Sequence, residues 1–165
     1  MDRSDRHLYA LCADQANAKK GWRRFWTLLT HCGGATSTVA AVILPLLLTS
    51  AGELHDAARH ALLALVFSHI AVQLVKRRVN RRRPSLRETS LPLVAEPDRF
   101  SFPSGHACAA MAVCFSYALV FPVLALPLVL IAALVGASRV FLGVHYPGDV
   151  VVGQLIAIAT AIIVR

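Results

Sequence analysis

Acidic residues are scarce. Nine Asp and Glu stand against seventeen Lys and Arg, for a formal net charge of +8 with His neutral. Cysteine is also sparse: Cys12, Cys32, Cys108 and Cys114 form no CxxC pair and no secreted-scaffold pattern, so all four read as free thiols. Aromatics make up 7% of the chain. The longest basic run, "KRRVNRRRP" from Lys76, contains none, whereas nucleic-acid-binding stripes interleave bases with aromatic rings. A nucleic-acid partner is therefore not expected. No apolar h-region of a cleavable signal peptide is visible in the charged residues 1–25, and there is no internal repeat or low-complexity tract. What is abundant is apolar surface. Hydrophobic residues are 56% of 165, and the mean hydropathy is +0.59. That is too apolar for an ordinary soluble domain and too short for two, so a basic, single-domain membrane protein is the expectation.

The uncharged runs set the architecture. A bilayer core takes roughly 20 apolar helical residues. Residues 26–52 and 57–75 each hold one span. Residues 100–138 contain no charged residue; as one helix they would reach about 58 Å, and Phe121-Pro122 and Pro127 interrupt them, so they form a hairpin. A fifth span follows Tyr146. The expected fold is an all-α integral-membrane helical bundle, one domain over 1–165, with five transmembrane helices at about 30–51, 57–76, 104–120, 123–140 and 147–164. Residues 1–25 mix Leu, Trp and Phe with Lys and Arg, as an interfacial N-terminal helix does. Residues 1–25 carry six Lys and Arg and residues 76–99 carry eight, while 51–58 holds Glu53 and Asp56 with Arg absent until Arg59. Positive-inside bias then places the N-terminus and the 76–99 and 140–148 loops in the cytoplasm.

Three polar clusters fall on that one side: "KRRVNRRRP" (Lys76 to Pro84), "PSGH" (Pro103 to His106) and "SRVFLGVHYPGD" (Ser138 to Asp149). Together they have the parts for phosphoryl transfer. Ser104 is an N-cap type, and a helix start offers free amides and a positive dipole end to an anion. Gly105 permits close backbone approach. Lys76, Arg83 and Arg139 supply positive charge, with guanidinium forks that match phosphate oxygens. His145 and Asp149 are four apart, one helical turn, so Asp149 is placed to fix the imidazole tautomer and leave the other nitrogen as a nucleophile. His106 is a second imidazole, a general acid for the leaving oxygen. No metal is required. Each piece has a plain structural alternative: Ser-Gly as an ordinary cap, Asp149 as a cap for the last span, His145-Tyr146-Pro147 as an interfacial turn, the arginines as a cytoplasmic anchor. His31, His55, His60 and His69 read as structural or interfacial, and His7 lies in the tail.

The order and spacing resemble the type 2 phosphatidic acid phosphatase superfamily, whose three-part signature reads K-x6-R-P, P-S-G-H and S-R-x5-H-x3-D. Here these are Lys76 with Arg83-Pro84, Pro103-Ser104-Gly105-His106, and Ser138-Arg139 with His145 and Asp149. The resemblance implies His145 as the phosphorylated nucleophile, Asp149 as its orienter and His106 as the acid, with Lys76, Arg83, Ser104, Gly105 and Arg139 on the phosphate. It implies a metal-independent enzyme, without cofactor, acting on a lipid phosphate: phosphatidate, phosphatidylglycerol phosphate, or a polyprenyl derivative such as polyprenyl-phosphoribose phosphate. A polyprenyl pyrophosphate phosphatase and a non-enzymatic basic membrane anchor are the alternatives. The expected location is the bacterial inner membrane with a cytoplasmic active site. Two features depart from the family pattern: bacterial members commonly have six spans, and many open to the periplasm.

Overall fold

The computed structural model describes residues 5, 7–10, 12, 20–84 and 99–165. The 85–98 loop and most of residues 1–19, including much of the expected interfacial helix, lie outside the described residues. Among the described residues from Lys20 onward, six α-helices follow in order: α1 (Lys20–His31), α2 (Ala35–Leu48), α3 (Glu53–Val79), α4 (Gly105–Val120), α5 (Ala125–Phe141) and α6 (Pro147–Ile163). A 3-10 turn, Pro122–Leu124, joins α4 to α5. Among the described residues the extended pairing is a single antiparallel bridge, Arg82 to Phe100. The all-α membrane bundle expected from the sequence is the fold observed.

α4 is the central helix, packed against α2, α3, α5 and α6. Its sequence, GHACAAMAVCFSYALV, explains why. Small side chains on every face let neighbouring backbones approach, and Ala107, Cys108, Ala110, Ala112 and Ala118 are all buried. The outer helices do the reverse. Leu47 and Leu48 on α2, Leu126 on α5 and Ile163 on α6 are exposed, a surface suited to hydrocarbon rather than water.

The helices differ in length. α3, with 27 residues, and Pro122–Phe141, with 20, are long and apolar enough to cross a bilayer. α1 and α2 qualify as one span bent by 43°. α4 and α6 have 16 and 17 residues. By helix rise they reach about 24–26 Å, short of a full hydrocarbon core. Gly33 and Gly34 break the chain between α1 and α2, where apolar character continues. The amphipathic helix ahead of that break runs Lys20–His31. Its Trp26 is buried, stacked on Phe141 at the end of α5 with 4.4 Å between ring centroids.

Gly33 is required where it stands. A Cβ there would collide with Val135 Cγ1 and lie 2.9 Å from the His106 carbonyl oxygen. The bend thus seats the α1–α2 turn directly on the start of α4.

Candidate active site

Local backbone signals bring the three polar clusters together. α3 stops at Asn80, which takes the left-handed conformation that Asn tolerates (φ 50°), and its N–H caps the Lys76 carbonyl. The chain then turns back, so Arg83 returns toward Lys76, one turn before the helix end. Ser101 N–H donates to the Arg81 carbonyl at 2.8 Å, which holds the approach to α4 alongside this segment. At the third cluster, α5 ends at Phe141 and Gly143 adopts φ +78°, a turn that glycine makes without strain. α6 restarts at Pro147, with Pro at its first position.

One cavity of about 770 Å³ receives the result. Lys76, Arg83, Gly105, His106, Arg139 and His145 all line it. Five of these are charged or imidazole side chains from the three polar clusters, with Lys76, Arg83, Arg139 and His145 each almost fully buried. The remaining walls come from α2 and α3 and are mainly apolar, including Val39, Leu62, Leu65, Val66 and Ile70.

The imidazole of His145 is fixed from both sides. Nδ1 lies 2.7 Å from the Ser101 carbonyl oxygen, which can only accept, so Nδ1 carries the proton. Nε2 lies 3.2 Å from Arg83 Nη1, which can only donate, so Nε2 presents its lone pair. Arg83 Nη1 also donates to the Val144 carbonyl at 3.0 Å. Burial pushes the His145 pKa well below the usual imidazole value of 6.5, and the charges of Arg139, Arg83 and Lys76 push it further down. The ring is therefore neutral at pH 7, with Nε2 available as a nucleophile.

Asp149 does not fix the tautomer directly. Its Oδ2 stands 3.6 Å from Nδ1, an ion-pair contact for an imidazolium but too long for a hydrogen bond. Oδ2 instead accepts from the Tyr146 N–H at 2.9 Å, and Oδ1 accepts from Arg81 Nη1 at 2.6 Å. The i,i+4 spacing misleads because α6 begins at Pro147, after His145. Asp149 closes a capping box on the His145–Tyr146 turn, so its grip on the imidazole runs through the backbone.

Ser104 is the N-cap of α4, as its residue type suggests. It is buried at the start of α4, where its Oγ accepts from the Ala107 N–H at 3.5 Å, and it does not line the cavity. Its N–H donates to the Asp149 carbonyl at 2.9 Å, so Ser104 ties α4 to α6. Gly105, next along, reaches the cavity wall; a Cβ there would meet nothing within 4 Å. Among the described residues no group of three His, Cys, Asp or Glu side chains is placed to hold a metal ion.

Several supporting residues are not apparent from sequence. Thr30, at the end of α1, accepts from Arg139 Nη1 at 2.7 Å. Arg81, one of six Lys and Arg in the basic run, bridges Asp149 and Asp5, with its Nη2 at 2.5 Å from Asp5 Oδ2, and lies 4.3 Å over the Tyr146 ring. Asp5 Oδ1 accepts from the Gly148 N–H at 2.9 Å. His69, expected to be structural or interfacial, lines the cavity.

A cationic, partly buried end with two imidazoles, opening along an apolar trough, is a site for an amphiphile with an oxyanion at its head. Comparison with known proteins agrees. The PAP2 superfamily model matches residues 57–165, and the chain belongs to the PAP2 superfamily. It is 34% identical over 94 residues to lipid A 1-phosphatase of Rhizobium etli, covering 54% of this chain and 40% of that protein. It is 42% identical over 86 residues to decaprenylphosphoryl-5-phosphoribose phosphatase of Mycolicibacterium smegmatis, covering 52% and 46%. The chain thus spans less than half the length of these two curated relatives. The crystal structure of Aquifex aeolicus LpxE superposes with a TM-score of 0.73 at 26% identity, covering 96% of this chain and 92% of that one. With its lipid-facing apolar helices, this chain is an integral membrane protein.

Proposed function

We propose that this protein is a lipid phosphatase that works through a phosphohistidine on His145. The observation that carries the reading is the cavity itself, with its cations and imidazoles at one end and an apolar trough along α2 and α3. A soluble phosphate ester would have no use for the trough; a lipid phosphate fills both parts.

The phosphate sits among Lys76, Arg83 and Arg139, with the Gly105 end of α4 toward it. His145 Nε2 forms the N–P bond as the P–O bond to the lipid breaks, and His106, which takes up a proton as the bound phosphate offsets the charges of Lys76, Arg83 and Arg139, gives that proton to the leaving alkoxide. Water then attacks phosphorus, the N–P bond breaks, and His106 takes up the water's proton. The products are a lipid alcohol and inorganic phosphate, and His106 is again protonated. The fixed guanidinium and ammonium groups match the equatorial oxygens of the five-coordinate transition state. No metal takes part. Phosphatidate, phosphatidylglycerol phosphate and polyprenyl-phosphoribose phosphate are the candidate substrates. The two curated relatives, a lipid A 1-phosphatase and a decaprenylphosphoryl-5-phosphoribose phosphatase, support a lipid headgroup. The charge asymmetry of the loops supports the bacterial inner membrane, with the site on its cytoplasmic face.

The test is phosphate release from lipid phosphates in mixed micelles containing chelator. Wild type should turn over, and His145→Ala and His106→Ala should each lose at least about a thousandfold in kcat. Chelator-sensitive turnover, or near-normal activity in either variant, contradicts the reading. A membrane anchor would release no phosphate at all.

A further inference from the structure

His69 is at odds with its position in α3. It is the seventeenth of 27 residues. By helix rise it lies about 15 Å from the Val79 end and about 24 Å from the Glu53 end, near the middle of the bilayer rather than at an interface. Other histidines of the bundle are satisfied by main-chain carbonyls: His55 by Thr49 at 2.9 Å and His60 by Ala161 at 2.8 Å. His69 instead meets another side chain, with its Nε2 at 3.3 Å from Gln73 Nε2. Both residues line the cavity, on the same stripe of α3 as Lys76. The neighbours on that wall are Leu62, Leu65, Val66 and Ile70. Thr38 on the facing α2 spends its hydroxyl on the Gly34 carbonyl at 2.9 Å. His69 is exposed and Gln73 half-buried, so the pair is open to an occupant of the trough, and a polar pair in the middle of a membrane helix beside these apolar side chains marks a place where a ligand is polar.

We propose that His69 and Gln73 recognise a hydroxylated spacer, a sugar or other polyol, that joins the scissile phosphate to the hydrocarbon chain. The chemistry is matched. The Gln73 amide donates to His69 Nε2, so the imidazole proton is on Nδ1. The pair then offers an acceptor, Gln73 Oε1, and a donor, His69 Nδ1–H, and a hydroxyl group needs both. The reach is matched as well. Along α3, Gln73 lies about 4.5 Å and His69 about 10 Å below Lys76, the span of a pentose and its linkage. A phosphate attached directly to a prenyl chain would lay hydrocarbon against the pair and leave its polar atoms without a partner. A site built to hydrogen-bond a hydroxyl rejects the analogue that lacks it more strongly than an apolar pocket rejects a misfit.

The inference rests on the phosphatase reading and deepens it. Its test is the ratio of kcat/KM for two lipids of the same prenyl chain, one carrying the phosphate on a chain-linked sugar and one carrying it directly. Wild type should prefer the sugar-spaced lipid. The double variant His69→Leu, Gln73→Leu should lower the ratio about tenfold or more, and His69→Gln, which keeps a donor and an acceptor, should hold it within about threefold. The ratio is internal to each preparation, so partial unfolding cancels. A wild-type preference for the direct phosphate, or a ratio unchanged within about twofold in the double variant, overturns the spacer assignment and leaves the phosphatase reading standing. Release of phosphate from neither prenyl lipid also overturns the spacer assignment, and absence of release from phosphatidate and phosphatidylglycerol phosphate as well overturns the phosphatase reading.

Discussion

At the scale of single residues, the site depends on His145 having one tautomer, and a main-chain oxygen sets it. The Ser101 carbonyl holds Nδ1, and Arg83 faces Nε2. Lys76, Arg83, His106, Arg139 and His145 were joined in the sequence by their resemblance to the family signature, and all five line the cavity. The Ser101 contact was not legible there, since a backbone acceptor leaves no side-chain signature. Arg81 was equally hidden, as one arginine in a run of them. Its two ion pairs tie Asp149 to Asp5 across the turn that carries His145. Arg81→Ala should therefore lower kcat about 10- to 100-fold with KM little changed, because the nucleophile is displaced while the phosphate cations remain. Arg81→Lys should recover part of the loss. Steady-state kinetics on the purified variants checks this; an effect confined to KM would place Arg81 on the substrate instead.

At the scale of elements, small residues govern how closely the helices that frame the cavity approach. Gly153 on α6 is the clearest case, since a Cβ there would stand 2.6 Å from the Ser104 carbonyl oxygen at the start of α4. Gly153→Ala should cost about 1–3 kcal/mol and push the α4 start away from α6, lowering both the thermal midpoint and kcat. Unchanged melting and activity would show that the contact is not needed. The apolar runs made the order of the helices readable. The break at Gly33 and Gly34 was less so, because hydropathy does not register it. With α6 beginning at Pro147, His145 lies ahead of the helix, so Asp149 makes a capping box in place of the expected hydrogen bond to the imidazole.

At the scale of the whole molecule, the bundle places clusters from residues 76–84, 103–106 and 138–149 at one cavity mouth, as an odd-even count of spans requires. Which side of the membrane that mouth faces is a property of loop charge, argued from the eight Lys and Arg in residues 76–99. A cysteine engineered into residues 85–98 of a cysteine-free background should resist impermeant thiol reagents in intact cells and label after lysis. Labelling from outside would reverse the orientation and leave the chemistry untouched. The central claim is covalent transfer of the phosphate to one imidazole, and rapid quenching of the enzyme with a lipid labelled in its terminal phosphate tests it most directly. The account predicts an acid-labile, base-stable label on the peptide containing His145, absent from His145→Ala and longer-lived in His106→Ala if any forms there. Turnover with no label on His145, or label on another residue, would contradict it.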